Sequence, residues 1–183
     1  MNLSWFWDLP VGRGKHFLHD RGRLVDYALG NWRLSALQYY QSGQPITVTS
    51  NQSVSSLGSL WPVLNLGVPI KAASGCGAVQ PNVAGKSAYL NRAAFSDPAP
   101  FTLGNVSVLS TVRGCGYFDE DLGVDKGFPF GEERRVSIGA YFTNLFNRHQ
   151  FLGLNSNIDS PGFGTFTSSN FPRTVQLYVK VTF

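Results

Sequence analysis

Long hydrophobic runs are missing from this sequence: no apolar stretch approaches the roughly 18 residues that a membrane-spanning helix needs. That excludes a helical membrane protein but not a strand-built one, because a tilted strand crosses a bilayer with about ten residues. Charge is scarce as well. Asp, Glu, Lys and Arg make up 14% of the 183 residues, against about 25% in ordinary soluble domains. No five like charges follow one another, so the net charge of +4 is dispersed. Nucleic acid is therefore not an expected partner. Cysteine is limited to two residues, too few for a four-cysteine zinc site. The opening residues, Met1 to Asp8, have no basic region ahead of an apolar run and do not read as a signal peptide.

Aromatic residues are abundant: 14 Phe, 7 Tyr and 4 Trp give 14% of the chain, and 20 Gly with 10 Pro supply many turns. The sharpest pattern lies at the C-terminus, where Val175, Leu177, Val179, Val181 and Phe183 alternate with Gln176, Tyr178, Lys180 and Thr182. Period-two alternation of this kind is the signature of a β-strand with one apolar face. A second strand begins at Arg135 with Val136, Ile138, Ala140 and Phe142 on one face, and is expected to continue to about Phe146. A third places Phe118, Leu122, Val124 and Phe128 opposite Asp119, Asp121, Gly123 and Asp125. Lys126 falls on the apolar face of that strand and would have to snorkel. A fourth runs from about Asn31 to Tyr40, and a fifth from Asn2 to Leu9, stopped by Pro10.

The connections between these five strands alternate in character. Gly12 to Gly30 and the turn Pro129-Phe130-Gly131-Glu132-Glu133 lie on one side; Ser42 to Gly116 and Asn147 to Arg173, both long, lie on the other. Compact soluble domains rarely carry a loop as long as the first of these, whereas outer-membrane barrels pair short turns on one side with long loops on the other. A soluble β-sandwich binding or adhesion module remains the alternative, since its strands alternate in the same way. The barrel is favoured by the aromatic terminal residue Phe183 and by the aromatics gathered at strand ends, among them Trp5, Trp7, Phe128, Phe130 and Phe146.

Several tracts then resemble a known family. Gly30-Asn31-Trp32-Arg33-Leu34-Ser35, Gln41-Ser42-Gly43-Gln44-Pro45, Tyr89-Leu90-Asn91 followed by Ala94-Phe95, and Leu103-Gly104-Asn105 occur in order. They are followed by Asp121-Leu122-Gly123-Val124-Asp125-Lys126-Gly127-Phe128 and Asn144-Leu145-Phe146-Asn147-Arg148-His149. Together they resemble the C-terminal part of the barrel of TonB-dependent outer-membrane receptors of the Oar-like type. The resemblance implies an all-β fold, with residues 1–183 forming about five antiparallel strands of a 22-stranded transmembrane barrel. It further implies location in the outer membrane, contact with outer-membrane lipid, and energised uptake of a ligand such as a carbohydrate, peptide or metal chelate. TonB would act only through a plug domain that this sequence does not contain. The terminal strand, with Leu177, Val179, Val181 and Phe183, resembles the signal read by the barrel-assembly machinery, or is a plain closing strand.

Cys76 and Cys115 fall in the same predicted extracellular loop, where an oxidising environment makes a disulfide the expected state over two unrelated thiols. Trp61, Tyr89, Phe95 and Phe101 of that loop are candidate ligand contacts, because exposed aromatics suit a sugar or a peptide. His16 and His19 with Asp20 read as a solvated basic segment, and the three aspartates Asp119, Asp121 and Asp125, set on one face by alternation, as a polar wall. No metal site, cofactor or catalytic residue is expected: Gly12-Arg13-Gly14-Lys15 lacks the spacing of a phosphate-binding loop and reads as a turn, and no Gly-x-Ser-x-Gly or His-Glu-x-x-His occurs.

Overall fold

A computed structural model describes residues 1–18, 22–54, 58–81, 83–130 and 134–183. His19, Asp20 and the centre of the expected turn at Gly131-Glu132-Glu133 lie outside the described residues. The chain divides into two compact units. The first, the sheet unit, comprises Met1–Gln41, Phe118–Arg148 and Phe171–Phe183. The second, the loop unit, comprises Ser42–Tyr117 and His149–Asn170, and so gathers the two long connections together.

The sheet unit contains five strands: β1 (Asn2–Asp8), β2 (Trp32–Gln41), β3 (Tyr117–Pro129), β4 (Arg135–Thr143) and β5 (Thr174–Thr182). They lie side by side in chain order in one sheet. Antiparallel pairing sets Trp5 opposite Ala36, Ala140 opposite Val124, and Leu177 opposite Ala140. Between β2 and β3, the Gly127 amide donates to the Asn31 carbonyl at one end and Phe118 packs against Tyr40 at the other, an antiparallel relation again. Because side chains alternate, this register puts Trp5, Trp7, Leu34, Val124, Ala140, Leu177 and Val179 on one face. The other face carries Asp8, Arg33, Asp121, Asp125, Tyr141, Tyr178 and Lys180. The apolar face is open: Leu177 is 77% exposed and Val179 67%. Among the described residues of this unit there is one sheet, not the two facing sheets of a sandwich.

Two strand ends differ from expectation. β4 stops at Thr143 rather than near Phe146, because Asn144 turns to a positive φ of 49° and its amide donates to the Asp121 carboxylate. β1 stops at Asp8, although the Leu9 amide still donates to the Trp32 carbonyl before Pro10 ends the ladder.

The connection between β1 and β2 holds a helix that alternation did not reveal, α1 (Arg23–Leu29). Gly12 and Gly30 make room for it. A Cβ at Gly30 would lie 2.5 Å from Asp26 Oδ1, and one at Gly12 would lie 2.8 Å from Gly30 Cα at a φ of +119°. The helix also changes the fate of Lys126, which does not snorkel. Its side chain stays 6% exposed, its Nζ donates to the carbonyl of Gly30 at the end of α1, and the rings of Trp32 and Phe128 lie 5.4 Å away. An unpaired helix-end carbonyl is a ready acceptor for a cation.

The loop unit is built differently, from short pairings around a closed core. Pro45–Thr47 pairs with Val108–Arg113, Val63–Leu64 with Phe95–Ser96, and Phe151–Leu154 with Phe166–Ser169. Ile46, Val48, Tyr89, Leu90, Phe95, Leu109, Ile158 and Phe163 are buried together in its centre. Ile158 and Phe163 come from the second connection and the others from the first, so neither long loop makes this core alone.

Candidate functional site

Short apolar tracts set the frame of the loop surface. The Leu90 carbonyl, inside the core, lies so close to Gly164 that a Cβ there would sit 2.4 Å from it, at a φ of +78°. Cys76 and Cys115 form a disulfide with Cα atoms 5.8 Å apart, closing the long connection across 39 residues of sequence. A polar belt runs around the same unit. Ser50 Oγ lies 2.8 Å from Asp97 Oδ1 and 3.1 Å from Asp159 Oδ2, and the Asn51 amide donates to Asp159 at 2.6 Å. Asn157 Nδ2 donates to Asn51 Oδ1, tying the second connection to the first. The guanidinium of Arg92 donates to the carbonyls of Ile158 and Phe95, which again joins both connections.

The four aromatics singled out in the sequence separate into two kinds. Tyr89 and Phe95, expected as exposed contacts, are each 2% exposed, which corrects that expectation. Tyr89 packs on Phe166 and donates its hydroxyl to the Arg113 carbonyl, and Phe95 packs edge-on to Phe163. Both are held in place because burying a large ring in the core is worth more than leaving it in water. Trp61 and Phe101 do reach the surface, at 54% and about full exposure, with Leu103 beside them at 67%.

Backbone sets the positions of these exposed residues. Phe101 has a φ of +64°, which a bulky residue adopts only under constraint, and the turn that contains it is closed by Thr102, whose amide and hydroxyl both donate to the Ala99 carbonyl. Gly104 then passes so near the Trp61 carbonyl that a Cβ would lie 1.7 Å from it. The Asn105 and Val106 amides both donate to the Pro62 carbonyl, and the Leu64 amide donates to Asn105 Oδ1. The sequence hinted at this site only through Trp61 and Phe101; Leu103 and Gly104 were legible as part of a family tract, not as neighbours of Trp61.

The sheet unit carries charge on its polar face in ordered rows. Asp8 and Arg33 form a two-point pair at 2.6 and 3.1 Å, both groups about half exposed. In the register, Asp125 lies opposite Gly139, and Gly139 lies opposite Tyr178. A Cβ at Gly139 would meet the Tyr178 ring at 2.4 Å, so the tyrosine lies flat across the glycine. Gly127 is covered by Arg135 in the same manner. Long side chains laid over strand glycines fix register where the glycine itself provides no packing. Asp121 accepts from the Tyr141 hydroxyl at 3.1 Å.

On the apolar face the second charged residue, Glu120, is 3% exposed and paired with Arg148 at 3.0 and 3.1 Å. Arg148 also lies over the ring of Phe146. Leu177, Val179 and Val181 stand on β5, at the edge of the sheet, and Phe183 follows it; all four are more than half exposed. Among the described residues no group of three or more His, Cys, Asp or Glu is close enough to hold a metal ion. None of their helices is long and apolar enough to cross a membrane.

Comparison with curated proteins and with solved structures returns no match. The model of one family does match, over residues 1–176, and its description is outer membrane beta barrel domain. That span takes in β1 to β4, all of the loop unit, and the start of β5. An antiparallel sheet, apolar on one face and polar on the other, is what such a domain requires of its wall. The chain belongs to the outer membrane beta barrel domain family.

Proposed function

We propose that this chain is the C-terminal part of the barrel of a TonB-dependent outer-membrane receptor of the Oar-like type. Its five strands form part of a 22-stranded wall, with the apolar face toward lipid and the polar face toward the lumen. The observation that carries the reading is one continuous meander of five strands whose two longest connections lie on the same side and are gathered into a single unit. Long loops of that kind belong outside the cell and short turns in the periplasm. In this reading β5 ends in the periplasm, and its edge, with Leu177, Val179, Val181 and Phe183, is what the barrel-assembly machinery pairs with.

The loop unit then faces the medium and takes part in capturing the ligand, with Trp61, Phe101 and Leu103 as its apolar contacts. Aromatic rings on rigid backbone supply contact area at little cost in conformational entropy, which suits a sugar or peptide ligand. Passage of the ligand through the lumen depends on a plug that TonB engages. The chain itself contributes wall and loops, not chemistry.

The test is peptide mapping of the outer-membrane fraction of cells that make the protein. The reading predicts that peptides from residues 1–183 come from a polypeptide several times heavier than 20.1 kDa that also contains a plug. It predicts too that uptake of that protein's ligand stops when a protonophore collapses the proton gradient. A product of 20.1 kDa alone would overturn it.

A further inference from the structure

The helix α1 lies over the apolar face of the sheet and leaves two adjoining cavities of different character. The larger, about 620 Å³, is lined almost wholly by carbon. Tyr27 and Ala28 of the helix form one side, and Ile138, Ala140 and Leu177 of the sheet form the other. The smaller, about 190 Å³, lies against Asp26, Asn31 and Lys126, beside Pro129 at the end of β3. Tyr27, Lys126 and Phe128 border both. An apolar compartment that adjoins a small polar one has the division of an amphiphile.

The polar compartment is also zwitterionic. Lys126 has three N–H donors, and among the described residues the Gly30 carbonyl is the acceptor for one of them. Asp26 accepts the Arg13 amide at Oδ1, which among the described residues leaves Oδ2 for a donor. A cation and a carboxylate together match a headgroup that carries a phosphate and an ammonium in series, better than one that carries only negative charge. The apolar compartment continues the open wall of β4 and β5, so hydrocarbon reaches it along the face assigned to lipid.

We propose that α1 and the sheet beneath it bind one zwitterionic phospholipid of the phosphatidylethanolamine type. An acyl chain occupies the cavity between Ala28 and Ala140, the phosphate meets Lys126, and the ammonium meets Asp26. A volume of this size lies within the range of ordinary ligand sites, which are mostly apolar with a few placed polar groups. The helix fixes the lipid at the strand ends and seals the connection between β1 and β2 against the bilayer. The site rests on the reading of the apolar face as lipid-facing.

The test uses the protein extracted from the outer membrane in mild detergent. Phosphatidylethanolamine and phosphatidylglycerol are added in equal amounts, and retained lipid is counted by native mass spectrometry. One phosphatidylethanolamine per chain is expected, favoured over phosphatidylglycerol by about tenfold. Ala140→Trp fills the cavity and removes that lipid, whereas Leu3→Trp, on the same face but outside the cavity, retains it. Asp26→Asn brings the two lipids to near-equal retention. Should Ala140→Trp lose its far-ultraviolet β signal, Ala28→Leu fills the same space from the helix side. Equal retention of both lipids by the unaltered protein would overturn the headgroup assignment. Unchanged retention in the cavity-filling variant would overturn the site. Failure of the lipid-facing reading itself looks different: nitroxide labels on the apolar face would then sense water, whatever lipid is retained.

Discussion

The two units of this molecule place apolar and polar side chains in opposite ways. Every apolar residue buried among the described residues, from Ile46 to Phe163, belongs to the loop unit, whose core resembles that of a water-soluble domain. The sheet unit leaves Leu177, Val179 and Trp7 more than half exposed, and three of its buried residues, Glu120, Lys126 and Asn144, are polar. A sequence with one solvent would gain nothing from such an inversion, because exposed apolar area costs about 25 cal/mol per Å² in water. The inversion is stable if the two units meet different solvents, bilayer hydrocarbon for the sheet and water for the loops.

Breaking each unit should therefore call for different chemistry. The largest effect is expected in the loop unit. Replacing both cysteines with serine removes the Cys76–Cys115 crosslink, and for a closed loop of this size the chain-entropy model assigns roughly 4 kcal/mol. Limited proteolysis should then cut between residues 42 and 117 while the β signal of the sheet persists. In the sheet, Leu177→Arg should lower stability in vesicles by about 2–4 kcal/mol, as for a charge near mid-bilayer, while Gln176→Arg on the other face changes it little. Urea unfolding of the two variants side by side measures the difference.

A smaller loss, about 1–2 kcal/mol, is expected for Glu120→Gln, because the carboxylate is buried but its partner Arg148 is half exposed and regains water. The same urea titration reads it. Asp8→Asn should have the least effect, below about 1 kcal/mol, since both members of that pair are exposed. A larger loss there would mean that the polar face is drier than a water-filled lumen.

The strands were legible because alternation depends only on neighbouring residues. Val175 to Phe183 announces β5 within a residue at either end, and the side assignment of Asp121 and Tyr141 follows from parity alone. Helix α1 was hidden because its seven residues, Arg-Leu-Val-Asp-Tyr-Ala-Leu, are too few to establish a 3.6-residue period, and its room is made by glycines at a distance. The fates of Tyr89 and Phe95 were hidden for a related reason. Aromatics in a Gly- and Pro-rich stretch look exposed until a second segment, bringing Ile158 and Phe163, supplies the other half of the core. The Ser50, Asp97 and Asp159 belt depends in the same way on residues far apart in sequence.

The central claim is that one face of the five-stranded sheet meets lipid and the other meets water. It is tested most directly by nitroxide labels placed one at a time along β5, from 175 to 181, in protein reconstituted into phospholipid vesicles. Collision rates with oxygen, which concentrates in hydrocarbon, and with a water-soluble nickel complex are then compared. The account predicts oxygen maxima at 175, 177, 179 and 181 and nickel maxima at 176, 178 and 180. Nickel access at every position, or oxygen maxima on the even positions, would contradict it.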